Sequence, residues 1–332
     1  MLVKYNTFGS LSMLSSIKDL ETERLISRIL TLYYLEDRNQ AEISRDLDLS
    51  VAKVNRLLKQ ARSLGWVEFN IHTPSQHLFE LERQIEARTG VKEAIVMPRL
   101  VDNPESILAT IGQVAASYLL EHLRDGDVIC NGGGRGLAAM VDALDTPRKF
   151  DVQVVPALGG VQGRFDTDVN NLAAVLADRL GGTSYQLYAP AFCDNEEERD
   201  AIRSLRQVKE VLDMACKAQV AVVGVGTLDP LVSSYLQFTS LSAAELQEIT
   251  DAQSGVGEIL ARVIDRQGQV CATTYAERVV GISLQDLRAI PLSIGIAALD
   301  NKAPAVAAAL KGGYLKTIIM DDVTAKAVLA YF

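Results

Sequence analysis

The sequence predicts an α/β protein in two parts: a small N-terminal winged helix-turn-helix and a larger Rossmann-like domain on a parallel sheet. Three observations carry that prediction. Near the N-terminus, a helical segment with four positive charges and no negative ones, Val51 to Leu64, follows a capped turn. Strand-like apolar runs then alternate with helical segments to the C-terminus, as in a parallel sheet covered by helices. One of those runs ends in a glycine-rich turn, Asn131-Gly132-Gly133-Gly134-Arg135-Gly136, that opens the next helix. The chain divides accordingly into an arm over 1–20, a helix-turn-helix over 21–71, a linker over 72–77 and a sheet domain over 78–332.

Taken in order, residues 1–20 are polar and aperiodic. From Thr22, Leu25, Ile29, Leu32 and Leu35 recur at helical spacing. Asn39 starts a second segment, with Ala41, Ile43 and Leu47 as its apolar positions. Ser50 is an N-cap for a third, because its hydroxyl accepts a free backbone N–H. In that third helix Val54, Leu57, Leu58, Ala61 and Leu64 share one face, while Lys53, Arg56, Lys59 and Arg62 lie off it. Gly65 ends the helix, since glycine takes the left-handed C′ conformation cheaply. Trp66 to Ile71 alternates like a strand, the expected wing. A second helix with one apolar and one basic face, set behind a tight turn, fits the DNA major groove. Its first residues meet base edges and its later cations meet phosphates.

Leu78 to Thr89 reads as a charged amphipathic helix entering the second domain. Strands are expected at Ala94–Met97, Val128–Cys130, Val152–Pro156, Val220–Val225, Ser293–Ala297 and Thr317–Met320. Helices are expected between them, among them Glu105–Leu123, Asn170–Leu180 and Lys302–Leu310. The turn at Asn131–Gly136 offers free N–H donors at a helix start, where an anion or a hydroxyl cluster is held. It is not a phosphate loop of the Gly-Lys-Ser/Thr kind. Nor is it a GxGxxG fingerprint, because Leu137 stands where the third glycine belongs. Gly159-Gly160, Gly224 to Asp229 and Asp300-Asn301-Lys302 also follow strands, and Glu258 follows a Gly255-Val256-Gly257 turn. Ligands of open α/β sheets sit at that edge, and carboxylate, amide and lysine groups together suit a polyhydroxylated molecule.

Of the 332 residues, 48% are hydrophobic and 23% charged, ordinary for a soluble globular chain, and the net charge of −9 argues against a protein that coats nucleic acid nonspecifically. Cys130, Cys193, Cys216 and Cys271 form no CxxC pair and suggest buried thiols rather than a metal site or disulfides. Without a signal peptide or a long apolar stretch, a cytoplasmic protein with no membrane contact is expected.

From about Leu25 onward the chain resembles the SorC-type (SorC/DeoR-like) sugar-responsive bacterial regulators. The resemblance runs through Gln40-Ala41-Glu42-Ile43-Ser44, Ser50, Arg56-Leu57-Leu58-Lys59 and Ala61-Arg62. It resumes at Gly126-Asp127-Val128-Ile129 and the glycine turn, then Asn170-Asn171-Leu172-Ala173, Ala189-Pro190, Gly224-Val225-Gly226 and Gly255-Val256-Gly257-Glu258. It closes with Lys302, Ala309-Leu310-Lys311-Gly312-Gly313 and Met320-Asp321-Asp322. It implies a sheet domain similar to sugar-phosphate isomerases and glucosamine-phosphate deaminases without their catalysis. It also implies a homo-oligomer, typically a tetramer, that binds double-stranded operator DNA under control of a sugar, polyol or sugar-phosphate effector. RNA polymerase is a further candidate partner.

The candidate DNA contacts are Gln40, Ser50, Val51, Ala52, Lys53, Asn55, Arg56, Lys59 and Arg62, with Val51 and Ala52 apolar where the family often has a polar contact. The candidate effector contacts are Asn131, Gly132, Gly133, Gly134, Arg135, Gly136, Asn170, Asp229, Glu258 and Lys302. The family's turn usually carries hydroxyl residues where this chain has Gly132 and Gly136. Losing them removes hydrogen bonds a phosphate would use, so a non-phosphorylated ligand stands level with a phosphosugar. No catalytic, metal or cofactor residue is expected.

Two alternatives compete. One is an enzyme of the sugar-phosphate isomerase or deaminase kind with an appended DNA-binding domain. His72 and His77 in the linker and His122 inside a helix weigh against it, since none follows a sheet strand. The other is an assembly protein whose basic helix binds a protein, without the steep salt dependence of DNA binding.

Overall fold

The computed structural model describes residues 17–67, 75–162, 165–231, 233, 235–238 and 241–332. The chain forms two compact units, Met1–Thr73 and Pro74–Phe332.

In the first unit, helix Ile17–Leu30 runs into a π-helical turn, Thr31–Leu35. The second helix, Gln40–Asp46, begins on a reciprocal cap: the Asn39 side chain accepts the Ala41 and Glu42 amides, and Glu42 accepts the Asn39 amide. Asp48 then takes a left-handed φ of 50°. The third helix, Val51–Ser63, starts as predicted on Ser50, whose hydroxyl accepts the Lys53 amide at 3.2 Å. It ends on Gly65, at φ 71°. The Gly65 amide returns to Arg62 and the Trp66 amide to Ala61, the two bonds of a Schellman stop. Ile26, Ile29, Ile43, Val54, Leu57, Leu58 and Ala61 form the core of this unit. The predicted wing over 66–71 falls largely outside the described residues; Trp66 and Val67, the part described, are not strand.

The second unit opens with helix Gln76–Thr89, two residues earlier than the sequence suggests and inside the predicted linker. Among the described residues its ten strands are β1 (Glu93–Met97), β2 (Val128–Asn131), β3 (Gln153–Pro156), β4 (Thr183–Ser184), β5 (Val220–Gly224), β6 (Gly226–Thr227), β7 (Gly255–Ile259), β8 (Arg262–Asp265), β9 (Leu292–Ile296) and β10 (Thr317–Asp321). Seven make a wholly parallel sheet in the order β1-β10-β9-β5-β2-β3-β4. Both faces are buried. Ile129, Val154, Val220, Val222 and Ile319 point into one core, and Cys130, Val155, Ala221, Val223 and Met320 into the other. Strands buried on both faces read as continuous apolar runs, which is why all six predicted strands are found, each within a residue or two.

The sequence reading does not contain the second sheet, an antiparallel β6-β7-β8. Gly255-Val256-Gly257 is therefore not a turn. It is the start of β7, and Glu258 lies within that strand. The glycine is there for packing: a Cβ on Gly257 would meet the Ala305 Cβ at 2.2 Å. Among the described residues, no helix is long and apolar enough to cross a membrane.

The order of the parallel sheet gives the edge at which a ligand crevice is expected. From β2 the chain proceeds outward through β3 to β4; from β5, β2's other neighbour, it proceeds through β9 and β10 toward β1. The strand order reverses between β2 and β5, and ligands of such sheets bind beyond the strand ends at that point.

Candidate effector crevice and DNA-reading helix

The first unit presents Val51, Ala52, Lys53, Arg56, Lys59 and Arg62 to solvent, with Asn55 half-buried. Among the described residues, none of the four cations forms an ion pair. The face is held out by what lies beneath it, since Val54, Leu57, Leu58 and Ala61 are buried. Ser50, an expected DNA contact, is exposed and is also the cap, so its hydroxyl already fixes the helix start. Gln40 sits half-buried at the first position of the preceding helix.

In the second unit the glycine turn leaves β2 at the switch point. Asn131 is fully buried, and its Nδ2 donates to the carbonyls of Gly132 and Val169, both at 2.9 Å. The Gly132 amide donates to Val222 on β5 at 2.9 Å, and the Gly134 amide to Thr167 at 3.0 Å. This corrects the expectation that the whole turn offers free donors. Two of its amides are engaged within the fold, and the outward donors begin with the first turn of helix Arg135–Ala143, whose initial N–H groups have no intrahelical partner. Gly134 takes φ 106°, a conformation L side chains rarely adopt, and space beside it is open. Gly133 is packed instead: a Cβ there would lie 2.8 Å from the Thr167 carbonyl. Gly136 sits against Ile296 of β9, and Arg135 is exposed.

The charges of Glu258 and Lys302 act on each other in this region. Glu258 is 9% exposed, and burial raises its carboxyl to about 7 against the opposing pull of the Ala261 amide and Lys302. Burial lowers the Lys302 amine to about 8, with Glu258 opposing and Arg135 adding to the drop. Lys302 ends a 3₁₀ turn, Asp300–Lys302, and caps helix Ala303–Lys311 rather than belonging to it. The turn is held from outside: Leu299, at φ 81°, donates its amide to Asp321, and Arg99 lies 3.8 Å from Asp300. Glu258 packs so closely on β6 that a Cβ on Gly226 would fall 2.1 Å from its Oε1.

The structure thus brings together Gly132, Gly133, Gly134, Arg135, Glu258 and Lys302. It does not free the other candidates in the same way. Asn170 uses both ends of its amide on the Leu187 backbone, accepting at 2.8 Å and donating at 3.4 Å. Asn131 ties the turn to the helix behind it. Asp229 is exposed, in a turn where its Oδ1 accepts the Leu231 amide at 3.0 Å. Three residues that sequence reasoning did not find also shape the site. Asp168 caps helix Val169–Leu180 and accepts the Val161 amide at 2.9 Å. Leu260 and Ala261 turn β7 into β8 against Gly132. Asp168 carries an N-cap signal; Leu-Ala carries no turn signal at all.

Residues 73–330 match a protein family described as "Putative sugar-binding domain", and residues 27–64 match "Sigma-70, region 4". The sorbitol operon regulator of Klebsiella pneumoniae is 30% identical over 92% of this chain and 98% of that protein. The deoxyribonucleoside regulator of Bacillus subtilis is 27% identical over 94% of this chain and 99% of its own. The crystal structure of the full-length Klebsiella regulator, SorC, superposes with a TM-score of 0.72, covering 93% of this chain and 99% of that one.

Proposed function

Because the chain belongs to the SorC family of transcriptional regulators with a sugar-binding domain, we propose that it controls a carbohydrate-utilisation operon by binding operator DNA through helix Val51–Ser63 and a carbohydrate effector in the switch-point crevice. The observation that carries this reading is the convergence of the glycine turn, Arg135, Glu258 and Lys302 at the β2–β5 reversal, in a chain that also holds a capped basic helix. The crevice supplies donors from the helix start, Arg135 and Lys302, and an acceptor from Glu258. A sugar, polyol or sugar phosphate uses both kinds. The protein works in the cytoplasm as a homo-oligomer on double-stranded DNA, and its crevice binds without turnover.

Two measurements test the two halves. Arg56→Ala should weaken operator binding by about 1–3 kcal/mol if Arg56 reads a guanine. Lys59→Ala should weaken binding to all sequences alike and flatten the salt dependence by about one phosphate contact. Operator binding that survives deletion of residues 1–75 would sink the DNA assignment. For the crevice, thermal shift with D-sorbitol, 2-deoxy-D-ribose and their phosphate esters is the direct assay. A compound at about 100 times its Kd stabilises the protein by about 2.7 kcal/mol.

A further inference from the structure

The β7–β8 hairpin turns on two residues, Leu260 at φ 48° and Ala261 at φ 62°. A two-residue turn with both central residues left-handed normally uses Asn-Gly, and a leucine in that region is a steric outlier. Three contacts hold it there. Leu260 is 5% exposed and lies over the glycine turn, its Cδ2 3.3 Å from where a Cβ on Gly132 would stand. Arg262 donates to the Leu260 carbonyl at 3.2 Å. Glu258 accepts the Ala261 amide on Oε2 at 3.1 Å. The carboxylate whose charge acts on Lys302 is therefore also the clamp on a strained turn, and that turn rests on Gly132 of the glycine turn.

We propose that this hairpin reports whether the crevice is occupied: a ligand that draws the Glu258 carboxylate to itself releases the Ala261 amide, and the Leu260–Ala261 turn relaxes away from Gly132. The inference rests on the reading of the crevice as the effector site. Glu258 is then a positioning residue for the turn as well as a ligand contact. The groups facing it are few. Lys302 comes from the turn before helix Ala303–Lys311, with Arg135 beyond it. Tyr235 comes from the short helix Tyr235–Phe238, its hydroxyl pushed upward first by burial and then by the Glu258 charge. The Ala261 amide comes from the hairpin itself, and the neighbouring strand β6 presents Gly226. Tyr235 stays neutral through this range, and Lys302, lowered to about 8, loses charge toward its upper end in the wild type and in Glu258→Gln alike, so the difference between the two proteins isolates Glu258.

Hydrogen–deuterium exchange on the full chain tests this in two arms. The first arm uses D-sorbitol, 2-deoxy-D-ribose and their phosphate esters as probes. A probe that protects residues 131–140 should also speed exchange at residues 259–262. In Ala261→Gly, glycine adopts the left-handed geometry freely and holds the turn more firmly. About fivefold more probe should then be needed for half the change, the equivalent of about 1 kcal/mol, alongside a higher melting temperature. Protection at 131–140 with unchanged exchange at 259–262, or an unshifted half-point in Ala261→Gly, overturns the proposal.

The second arm needs no probe. Between about pH 6 and pH 8 Glu258 gains its charge, so exchange at Ala261, corrected for its intrinsic rate, should slow in the wild type and not in Glu258→Gln. A flat wild-type profile overturns the proposal. If no probe protects 131–140, the effector reading fails for these compounds, and the pH arm alone decides whether Glu258 clamps the turn.

Discussion

Asn131 and Glu258 are buried polar residues that the fold uses in different ways. Both lie beside glycines and both were expected to touch ligand. Asn131 is used inward, on Gly132 and Val169, and shapes the turn. Nothing in its local sequence separates that role from a contact, because the partner at Val169 is 38 residues away. Glu258 is expected after a turn and is found inside a strand, yet its charge acts on Lys302, another candidate effector contact. Its burial has a measurable consequence. The carboxyl is raised to about 7 in the folded protein, so the folded state holds a proton that the unfolded chain gives up at lower pH. This contribution to stability is fully present below the ordinary carboxylate range and is lost as pH rises through about 7. Denaturant unfolding at about pH 5 and pH 8 should show the wild type losing on the order of 2–3 kcal/mol relative to Glu258→Gln. Lys302, lowered to about 8, acts in a separate window, adding stability as pH rises above that value. Parallel wild-type and variant profiles would remove the buried-acid account of Glu258.

At the level of elements, legibility follows locality. The basic helix is legible in full, because its cap, apolar stripe and stop lie within sixteen consecutive residues, Ser50 to Gly65. The parallel strands were readable because burial on both faces leaves continuous apolar runs. The β6-β7-β8 sheet was not readable. β6 and β7 carry glycines and pair across distance, and the β7–β8 hairpin turns on Leu-Ala, which gives no turn signal; glycine argues for a turn until the neighbour that excludes a side chain is seen. Gly112 is another such case. It lies in helix Pro104–His122, where a Cβ would meet the backbone carbon of Ala139 at 2.5 Å. Gly112→Ala must push apart two helices, one of which begins at the glycine turn. We expect a loss of about 1–3 kcal/mol by overpacking, and weaker binding of any ligand that protects residues 131–140. A variant as stable as the wild type, with unchanged ligand affinity, would show that the helix pair yields without cost.

For the whole molecule, one basic helix offers few phosphate contacts, and paired half-sites raise affinity through effective concentration. We therefore expect a homo-oligomer, for which the family resemblance favours a tetramer built from dimers, and light scattering at micromolar protein should report a multiple of the chain mass of 36.1 kDa. A monomer with and without operator would refute this. The glycine turn has a further consequence, in time rather than in affinity. Because Gly132 and Gly134 commit their amides to Val222 and Thr167, the crevice floor is built before any ligand arrives. A preformed floor asks for no ordering of the glycine turn on arrival, so the turn itself adds no delay to capture. The lifetime of the bound complex then sets how quickly the regulator forgets a metabolite that has disappeared.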